Sequence, residues 1–293
     1  LERFEAVVLE QRPNLVVVVG DVNSTAACGM VAKKIPGIGL AHVEAGLRSF
    51  DRSMPEEINR LVTDALSDML FTSEKSGDRN LAAEGVPPER ILFVGNVMID
   101  TLRRHLDRAR ETGALEGQGV EPGGYGLLTL HRPSNVDDPA VFDPLFEAIV
   151  DTAAELPIVF PVHPRTRPAL ERWTRQHGEP ALRQLRPVPP MGYLEFLHRM
   201  SEARILLTDS GGIQEESTVL DVPCLTLREN TERPATVDEG TNLLIGRDPD
   251  RLRREAAKIL RGEGKRGRIP EGWDGHAAER IAEAIGGWDG SLR

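Results

Sequence analysis

Short apolar runs alternate with amphipathic stretches along almost the whole chain. The clearest runs are NLVVVVG, GIGLAHV, DMLFTS, RILFVG, YGLLTLH, PIVFPVH, RILLTD and PCLTL. Continuous apolar runs of this length predict strands buried on both faces, and the stretches between them, such as PEEINRLVTDAL, have the periodicity of helices. The alternation predicts an α/β fold with parallel sheets.

A segment rich in glycine, proline and acidic residues, GALEGQGVEPGG at 113–124, interrupts the alternation. It predicts a linker between two domains, one over residues 1–115 and one over residues 122–272. The two halves repeat the order of strand, small-residue turn and helix, so we expect two similar sheets. Ligands bind at the carboxyl ends of the strands in open parallel sheets, which predicts a cleft between the halves as the site of chemistry.

Composition narrows the classes of partner and compartment. Of the 293 residues, 40% are hydrophobic, and acidic residues outnumber basic ones by 46 to 36, which argues against a nucleic acid or an anionic membrane as partner. The longest apolar run, residues 15–19, is far shorter than the roughly 20 residues of a membrane span, and we expect a cytoplasmic protein. Cys28 and Cys224 lie in apolar contexts and are interpreted as core residues. Because the chain starts at Leu1 directly in an amphipathic stretch, we interpret it as a fragment.

Several familiar motifs are absent or misplaced. The glycines of a GxGxxG pattern, at 262, 264 and 267, follow a charged helical stretch instead of a strand, which argues against a dinucleotide site. GxxxxGK[ST] does not occur, and no pair of histidines has the spacing of zinc ligands. We therefore expect neither a phosphate-binding loop of that type nor a metal.

Polar residues collect where the predicted strands end. One such stretch, LTDSGGIQEES, has a glycine turn that opens a helix and so predicts an anion site, although Asp209, Glu215 and Glu216 crowd it. The others are Asp21, His42, Glu44, Glu56 and Glu57 after Pro55, His131 with Arg132, and His163. A helix cap explains any one of them equally well. Together they indicate acid/base chemistry on a bound anion.

The motifs GDVNST, HVEAGLRS, MPEEINR, VGNVMID, TLHRPSN, PVHPR, LTDSGGIQEES and RENTERPATVDEGTN follow in this order. Together they resemble the non-hydrolysing UDP-N-acetylglucosamine 2-epimerase family over nearly the whole chain. HVEAG, DSGGIQEE and TERP in combination are far more specific than any single glycine motif.

The resemblance implies two Rossmann-like domains in the arrangement of the B-type glycosyltransferases, with UDP in the cleft and a C-terminal helix over 273–293 that packs back on the first domain. It implies reversible epimerisation of UDP-N-acetylglucosamine to UDP-N-acetylmannosamine by elimination and re-addition of UDP. No cofactor is implied. The family also implies a homodimer that serves polysaccharide biosynthesis in the cytoplasm.

The resemblance assigns roles residue by residue. It implies Asp21, Glu44, Glu56 and His131 as catalytic residues. For the substrate it implies diphosphate contacts from Ser210, Gly211, Gly212 and Arg233, and a ribose contact from Glu216. Phe196 or its neighbours in GYLEF are expected beside the uracil, and Met191 is a further expected substrate-binding residue. The glycines then bind phosphate and Glu216 binds sugar, which accounts for an acid beside the anion site. Core packing explains Phe196 equally well.

Two departures from the family keep alternatives open. Ser134 stands in HRPSN where many members have glutamate, and no glycine-rich GTRPE-like segment opens the chain. The missing opening segment keeps an inactive, truncated UDP-binding homologue as an alternative. A UDP-sugar glycosyltransferase of the same fold also remains an alternative, because fold and nucleotide site alone do not separate the two, and a hydrolysing epimerase is a third.

Overall fold

The computed structural model describes residues 1–116, 119–182, 184–288 and 290, with the side chains of 180 and 181 left aside. Residues 117 and 118 of the predicted linker, and 289 and 291–293 of the predicted C-terminal helix, lie outside the described residues. The chain divides into two compact units. Unit 1 consists of Leu1–Thr101, Glu232–Ala235 and Pro270–Arg293, and unit 2 consists of Leu102–Thr231 and Thr236–Ile269.

The strands and helices alternate as the apolar pattern predicts. The strands are β1 (Leu15–Val19), β2 (Gly39–Ala45), β3 (Met69–Thr72), β4 (Ile91–Phe93), β5 (Gly126–Thr129), β6 (Ile158–Pro161), β7 (Leu185–Val188), β8 (Ile205–Thr208), β9 (Cys224–Thr226) and β10 (Asn242–Leu244). The α-helices are α1 (Glu2–Gln11), α2 (Asn23–Lys34), α3 (Pro55–Leu66), α4 (Lys75–Ala83), α5 (Val97–Arg110), α6 (Pro133–Val136), α7 (Pro139–Glu155), α8 (Arg167–His177), α9 (Tyr193–Ser201), α10 (Gly211–Val219), α11 (Pro234–Asp238), α12 (Pro249–Leu260) and α13 (Ala277–Gly286).

Unit 1 is built on a four-stranded parallel sheet in the order β1-β2-β3-β4. Val18 pairs with His42 and Val19 with Val43, so β1 and β2 end at the same edge of the sheet. Leu40 and Phe71 are fully buried in the core of this unit. β1 is the outermost strand, and Val17 and Val19 remain 44% and 53% exposed on it.

The C-terminal segment completes unit 1. Trp273 is fully buried and donates its indole N–H to the carbonyl of Ser73 at 2.9 Å. The carboxylate of Asp100 accepts the backbone N–H groups of Ala277 and Ala278, at 3.1 and 2.7 Å, and so satisfies the free donors at the start of α13. Ile281 of that helix packs into the core of the first sheet.

Unit 2 contains a six-stranded parallel sheet in the order β10-β9-β8-β5-β6-β7. Thr129 and Thr208 are paired at the ends of β5 and β8, and their hydroxyl groups lie 2.6 Å apart. The segments that follow these two central strands, 130–132 and 209–212, therefore begin side by side. Two apolar clusters cover the two faces of the sheet, one with Phe146 and Phe160 and the other with Tyr125 and Leu206.

The predicted α/β fold with parallel sheets is confirmed, and a few local predictions are wrong. His42 does not end its strand, because β2 continues to Ala45 across an irregularity in its pairing with β3. β10 was missed, since its apolar run of Leu243, Leu244 and Ile245 is too short to distinguish a strand from a helix. Asp21 does not cap α2, whose N-cap is Val22. Cys224 is buried as predicted, whereas Cys28 is half-buried against the core of unit 1.

Within the described ranges, no helix is both long and apolar enough to cross a membrane.

Candidate active site

Asp21 and Glu44 lie together at the carboxyl edge of the first sheet. Asp21 follows β1, and Glu44 lies near the end of the neighbouring β2. A Cβ atom placed on Gly20 would be 3.3 Å from Glu44 Oε2, so the Glu44 carboxylate covers the residue next to Asp21. The two side chains are 29% and 16% exposed and can therefore be reached by a ligand.

Each of these carboxylates is paired with an arginine of the same unit. Arg60 of α3 donates from Nη1 to Asp21 Oδ2. Arg233 donates from Nη2 to Glu44 Oε1 at 2.9 Å, and its Nη1 is bonded to Glu232. Hydrogen bonds restrict the orientation of each planar guanidinium group. The two ion pairs therefore restrict the orientation of the Asp21 and Glu44 carboxylates as well.

The start of α3 holds Arg60 in place. Glu57 Oε2 accepts from Arg60 Nη2 at 2.7 Å and from Nε at 3.0 Å, one helical turn apart. Glu57 also accepts the backbone N–H groups of Ser49 and Phe50, at 3.0 and 2.9 Å. Burial would raise the pKa of Glu57, but these N–H groups and Arg60 hold it below its usual value. Glu56 lies half-buried in the same first turn.

Glu74 is a buried carboxylate beside the Arg233 segment. It is 2% exposed, and its Oε1 accepts a hydrogen bond from the hydroxyl group of Ser76. Burial raises the pKa of Glu74 to about 7, although Ser76, the backbone N–H of Ala235 and the charges of Arg233 and Arg79 all act to lower it. Its net charge therefore changes near neutral pH.

In unit 2, Asp209 connects the segments that follow β5 and β8. It is fully buried and accepts the backbone N–H groups of His131 and Arg132, at 2.9 and 2.7 Å. Burial would raise the pKa of Asp209, but His131 and these N–H groups hold it below its usual value. Of the three acids that crowd this turn in sequence, Asp209 thus points into the 131–132 segment.

His131 is oriented by Asp209. Its Nδ1 lies 2.8 Å from Asp209 Oδ1, and the ring packs at 5.4 Å from that of His163. The side chain is 38% exposed. A carboxylate bound at Nδ1 fixes the orientation of the ring and directs Nε2 away from Asp209.

The glycine turn of LTDSGGIQEES opens a helix as predicted. Ser210 is the N-cap of α10, which begins at Gly211, and Ser210, Gly211 and Gly212 are only partly covered. The first N–H groups of a helix have no partners within it and attract anions. No acidic residue lies in the first turn of α10.

Glu216 is buried further along α10. It is 5% exposed, and Tyr193 Oη donates to its Oε1 at 2.8 Å. Burial raises the pKa of Glu216 above its usual value. Phe196 is half-buried against the apolar cluster of unit 2 that contains Tyr125 and Leu206. Met191 Sδ accepts a hydrogen bond from Arg199 Nη1 at 3.2 Å.

The predicted site residues thus form two groups. Asp21, Glu44, Glu56 and Arg233 belong to unit 1, whereas His131, Ser210, Gly211, Gly212, Glu216, Phe196 and Met191 belong to unit 2. Sequence reasoning missed Arg60, Glu74 and Tyr193. Only Arg60 had a signal, since it follows Glu57 by three residues on one face of α3.

Across the described ranges, no cluster of three or more histidine, cysteine, aspartate or glutamate side chains could hold a metal ion.

Comparison with known proteins matches this chain over almost its full length. A family model described as UDP-N-acetylglucosamine 2-epimerase matches residues 1–286. The UDP-N-acetylglucosamine 2-epimerase of Methanocaldococcus jannaschii is 40% identical over 290 residues, which cover 97% of this chain and 78% of the relative. The UDP-2,3-diacetamido-2,3-dideoxy-D-glucuronate 2-epimerase of Pseudomonas aeruginosa is 37% identical, with coverage of 97% and 78%.

The fold is similar to that of a solved structure with bound nucleotide. The crystal structure of the Methanocaldococcus jannaschii enzyme in complex with UDP-GlcNAc and UDP superposes with a TM-score of 0.86. Sequence identity is 39%, and the match covers 97% of this chain and 79% of that one.

The raised pKa of Glu74 predicts a specific dependence of stability on pH. The folded chain holds a proton on Glu74 up to about pH 7, whereas the unfolded chain loses it near 4.5, so the free energy of unfolding falls as pH rises through that window. Glu74→Gln removes this contribution. Between about pH 5 and pH 8, wild type should lose about 2–3 kcal/mol relative to the variant in urea unfolding.

Glu89→Gln is the control for this measurement, because Glu89 is exposed. Its stability curve should stay parallel to that of wild type. Parallel curves for Glu74→Gln as well would contradict the assignment.

Proposed function

Because this chain belongs to the UDP-N-acetylglucosamine 2-epimerase family, we propose that it is an isomerase that interconverts UDP-N-acetylglucosamine and UDP-N-acetylmannosamine. The observation that carries the proposal is the pair Asp21 and Glu44, two partly exposed carboxylates held together by strand pairing and by arginine contacts. Inversion at a carbon that bears hydrogen needs groups that remove and return a proton.

The proposed reaction proceeds in two steps. In the first, a base takes the proton from C2, the C1–O bond to UDP breaks with its electron pair, and a double bond forms between C1 and C2. In the second, UDP oxygen attacks C1 while a proton is delivered to the opposite face of C2. Both steps conserve atoms and electrons, so no redox cofactor is required.

We assign the proton transfers to Asp21, Glu44 and Glu56. Arg60 and Arg233 support the assignment of the first two, because they hold those carboxylates in fixed directions. A positioned carboxylate transfers protons more effectively than a mobile one, since the geometry is set before the reaction begins.

We assign the nucleotide contacts to the glycine turn and α10. The N–H groups of Gly211 and Gly212, with the Ser210 hydroxyl, are suited to a diphosphate. Glu216 is suited to ribose hydroxyls, because its carboxylate already accepts a hydrogen bond from the hydroxyl group of Tyr193. Phe196 and Met191 are proposed beside the uracil.

Two hydrogen-bond donors, Arg233 and His131, are proposed to stabilise the leaving diphosphate. Arg233 carries a permanent charge, and His131 is held by Asp209 with Nε2 directed away from that carboxylate. Preorganised donors of this kind lower the barrier because they need no rearrangement as negative charge develops. The resemblance supports three finer proposals: a homodimer, a cytoplasmic location and a role in polysaccharide biosynthesis.

Incubation in deuterated water tests the proposed reaction. The chain with UDP-N-acetylglucosamine should yield both epimers with one deuterium at C2, because the abstracted proton exchanges with solvent before re-addition. Mass spectrometry and proton NMR of the recovered sugars measure this. UDP-2,3-diacetamido-2,3-dideoxy-D-glucuronate is the second substrate to test, given the Pseudomonas aeruginosa relative.

Other outcomes of that incubation favour other functions. UDP release that depends on an added acceptor, without deuterium at C2, indicates a glycosyltransferase. Free N-acetylmannosamine together with UDP indicates a hydrolysing epimerase. Calorimetric binding of UDP without any turnover indicates a non-catalytic UDP-binding protein.

Removing either acid should abolish most turnover. Asp21→Asn and Glu44→Gln keep the shape of each side chain but cannot take up a proton, so kcat should fall by at least about a hundredfold. Glu89→Gln, a change of the same kind at an exposed site, should keep full activity. Near-normal turnover in both Asp21→Asn and Glu44→Gln would refute the assignment.

Glu216→Gln should weaken UDP binding, since a neutral amide accepts hydrogen bonds from ribose less strongly than a carboxylate. Calorimetry should show a rise in Kd of about tenfold or more, or about 1.5 kcal/mol. Glu171→Gln, on an exposed position of α8, serves as the control. An unchanged Kd in Glu216→Gln would remove this residue from the site.

A further inference from the structure

Asp64 is a buried acid that forms hydrogen bonds with residues before and after Glu44 in the sequence. Asp64 lies in α3 and is 1% exposed. Its Oδ1 lies 2.5 Å from His42 Nδ1, and its Oδ2 accepts the backbone N–H of Gly46 at 3.1 Å and Arg48 Nη1 at 2.7 Å. One carboxylate therefore contacts His42 of β2, two residues before Glu44, and Gly46 just after β2, two residues after Glu44.

The backbone between these contacts is strained. Glu44 has φ +73°, a left-handed conformation that residues with a side chain rarely adopt. The pairing of β2 with β3 shifts between Val43 and Ala45, which marks a bulge; we call residues 43–46 the β2 bulge. Bulges redirect a side chain relative to the regular strand. Here the redirected side chain is the one that meets Arg233.

His42 extends the same contact to β1. The ring is fully buried, and its Nε2 lies 2.9 Å from the carbonyl oxygen of Gly20, the residue before Asp21. A carbonyl only accepts, so in this contact Nε2 is the donor. Both strand ends that bear the proposed acids are thus bonded, directly or through His42, to Asp64.

The charge of Asp64 is balanced within the buried network. Burial would raise the pKa of Asp64, but His42 and Arg48 hold it below its usual value. Arg48 in turn donates to both carboxylate oxygens of Glu84, at 2.8 and 2.7 Å. A buried carboxylate with this many donors is costly to replace, because its partners would lose their acceptor.

We propose that Asp64 is a positioning residue, whose carboxylate holds the β2 bulge in its left-handed conformation and so directs the Glu44 side chain for proton transfer. The proposal rests on the proposed function for the role of Glu44. Asp64 itself is fully buried, so its effect on turnover passes through the Glu44 side chain that it directs.

The chain offers a matched control for this proposal. Asp68 is also a buried aspartate that binds β2, since it accepts the backbone N–H of Leu40 at 2.8 Å and Lys33 Nζ at 2.8 Å. It lies at the start of the strand instead of at the bulge. Asp68→Asn therefore reproduces the loss of a buried charge without disturbing Glu44.

Kinetics of the two asparagine variants separate positioning from stability. Asp64→Asn should lower kcat at least about tenfold with KM within about threefold of wild type, since misdirection affects proton transfer more than binding. Asp68→Asn should keep kcat within about twofold. Combined with Glu44→Gln, Asp64→Asn should cost little further turnover, because the group it positions is already gone. Equal kcat losses in the two asparagine variants, or losses that multiply with Glu44→Gln, would overturn the proposal.

Two measurements do not depend on activity. A crystal structure of Asp64→Asn should show φ of Glu44 outside the left-handed region, and an unchanged φ would overturn the proposal. Should that variant fail to fold, hydrogen exchange on the wild-type chain takes its place. The Gly46 amide should then be protected at least about a hundredfold, and an unprotected amide would overturn the proposal. Failure of the proposed function is recognised separately, because Glu44→Gln alone would then leave turnover unchanged.

Discussion

The parallel pairing of β1 with β2 is the constraint on which the first group of site residues depends. Because Val19 pairs with Val43, β1 and β2 end at the same edge of the first sheet. The segments that follow the two strands therefore begin at that edge. Asp21 follows β1 and Glu44 lies near the end of β2, so the pairing of the two strands is what keeps the two acids close. The position of these unit 1 residues therefore depends on the register of β1 against β2. The apolar residues of the two strands set that register and so contribute indirectly to the site.

Both units place a buried aspartate against a histidine near a strand end, with different outcomes. In unit 1 the pair of His42 and Asp64 is buried on all sides, and the ring contacts only protein. In unit 2 Asp209 is equally buried, but the ring of His131 remains 38% exposed. The same interaction is thus enclosed in the first unit, whereas in the second unit it leaves the histidine ring partly exposed.

The fold could be predicted because each buried strand is a continuous apolar run bounded by polar turns. β10 was missed because its apolar run of Leu243, Leu244 and Ile245 is too short to distinguish a strand from a helix. The closeness of Asp21 and Glu44 followed from their places near the ends of adjacent strands. Glu74 and Tyr193 could not be found this way, since their importance comes from burial and from partners that are distant in sequence. The roles assigned to the site residues stay predictions.

Arg60 shows how narrow the requirements at one position can be. Its Nη1 serves Asp21, whereas Nη2 and Nε serve Glu57, so a single planar group satisfies two acids in different directions. Lysine would supply the same charge from one nitrogen and could not reach both. The planar shape of the side chain at this position therefore matters as much as its charge. We expect most substitutions of Arg60 to leave the Asp21 carboxylate less firmly held.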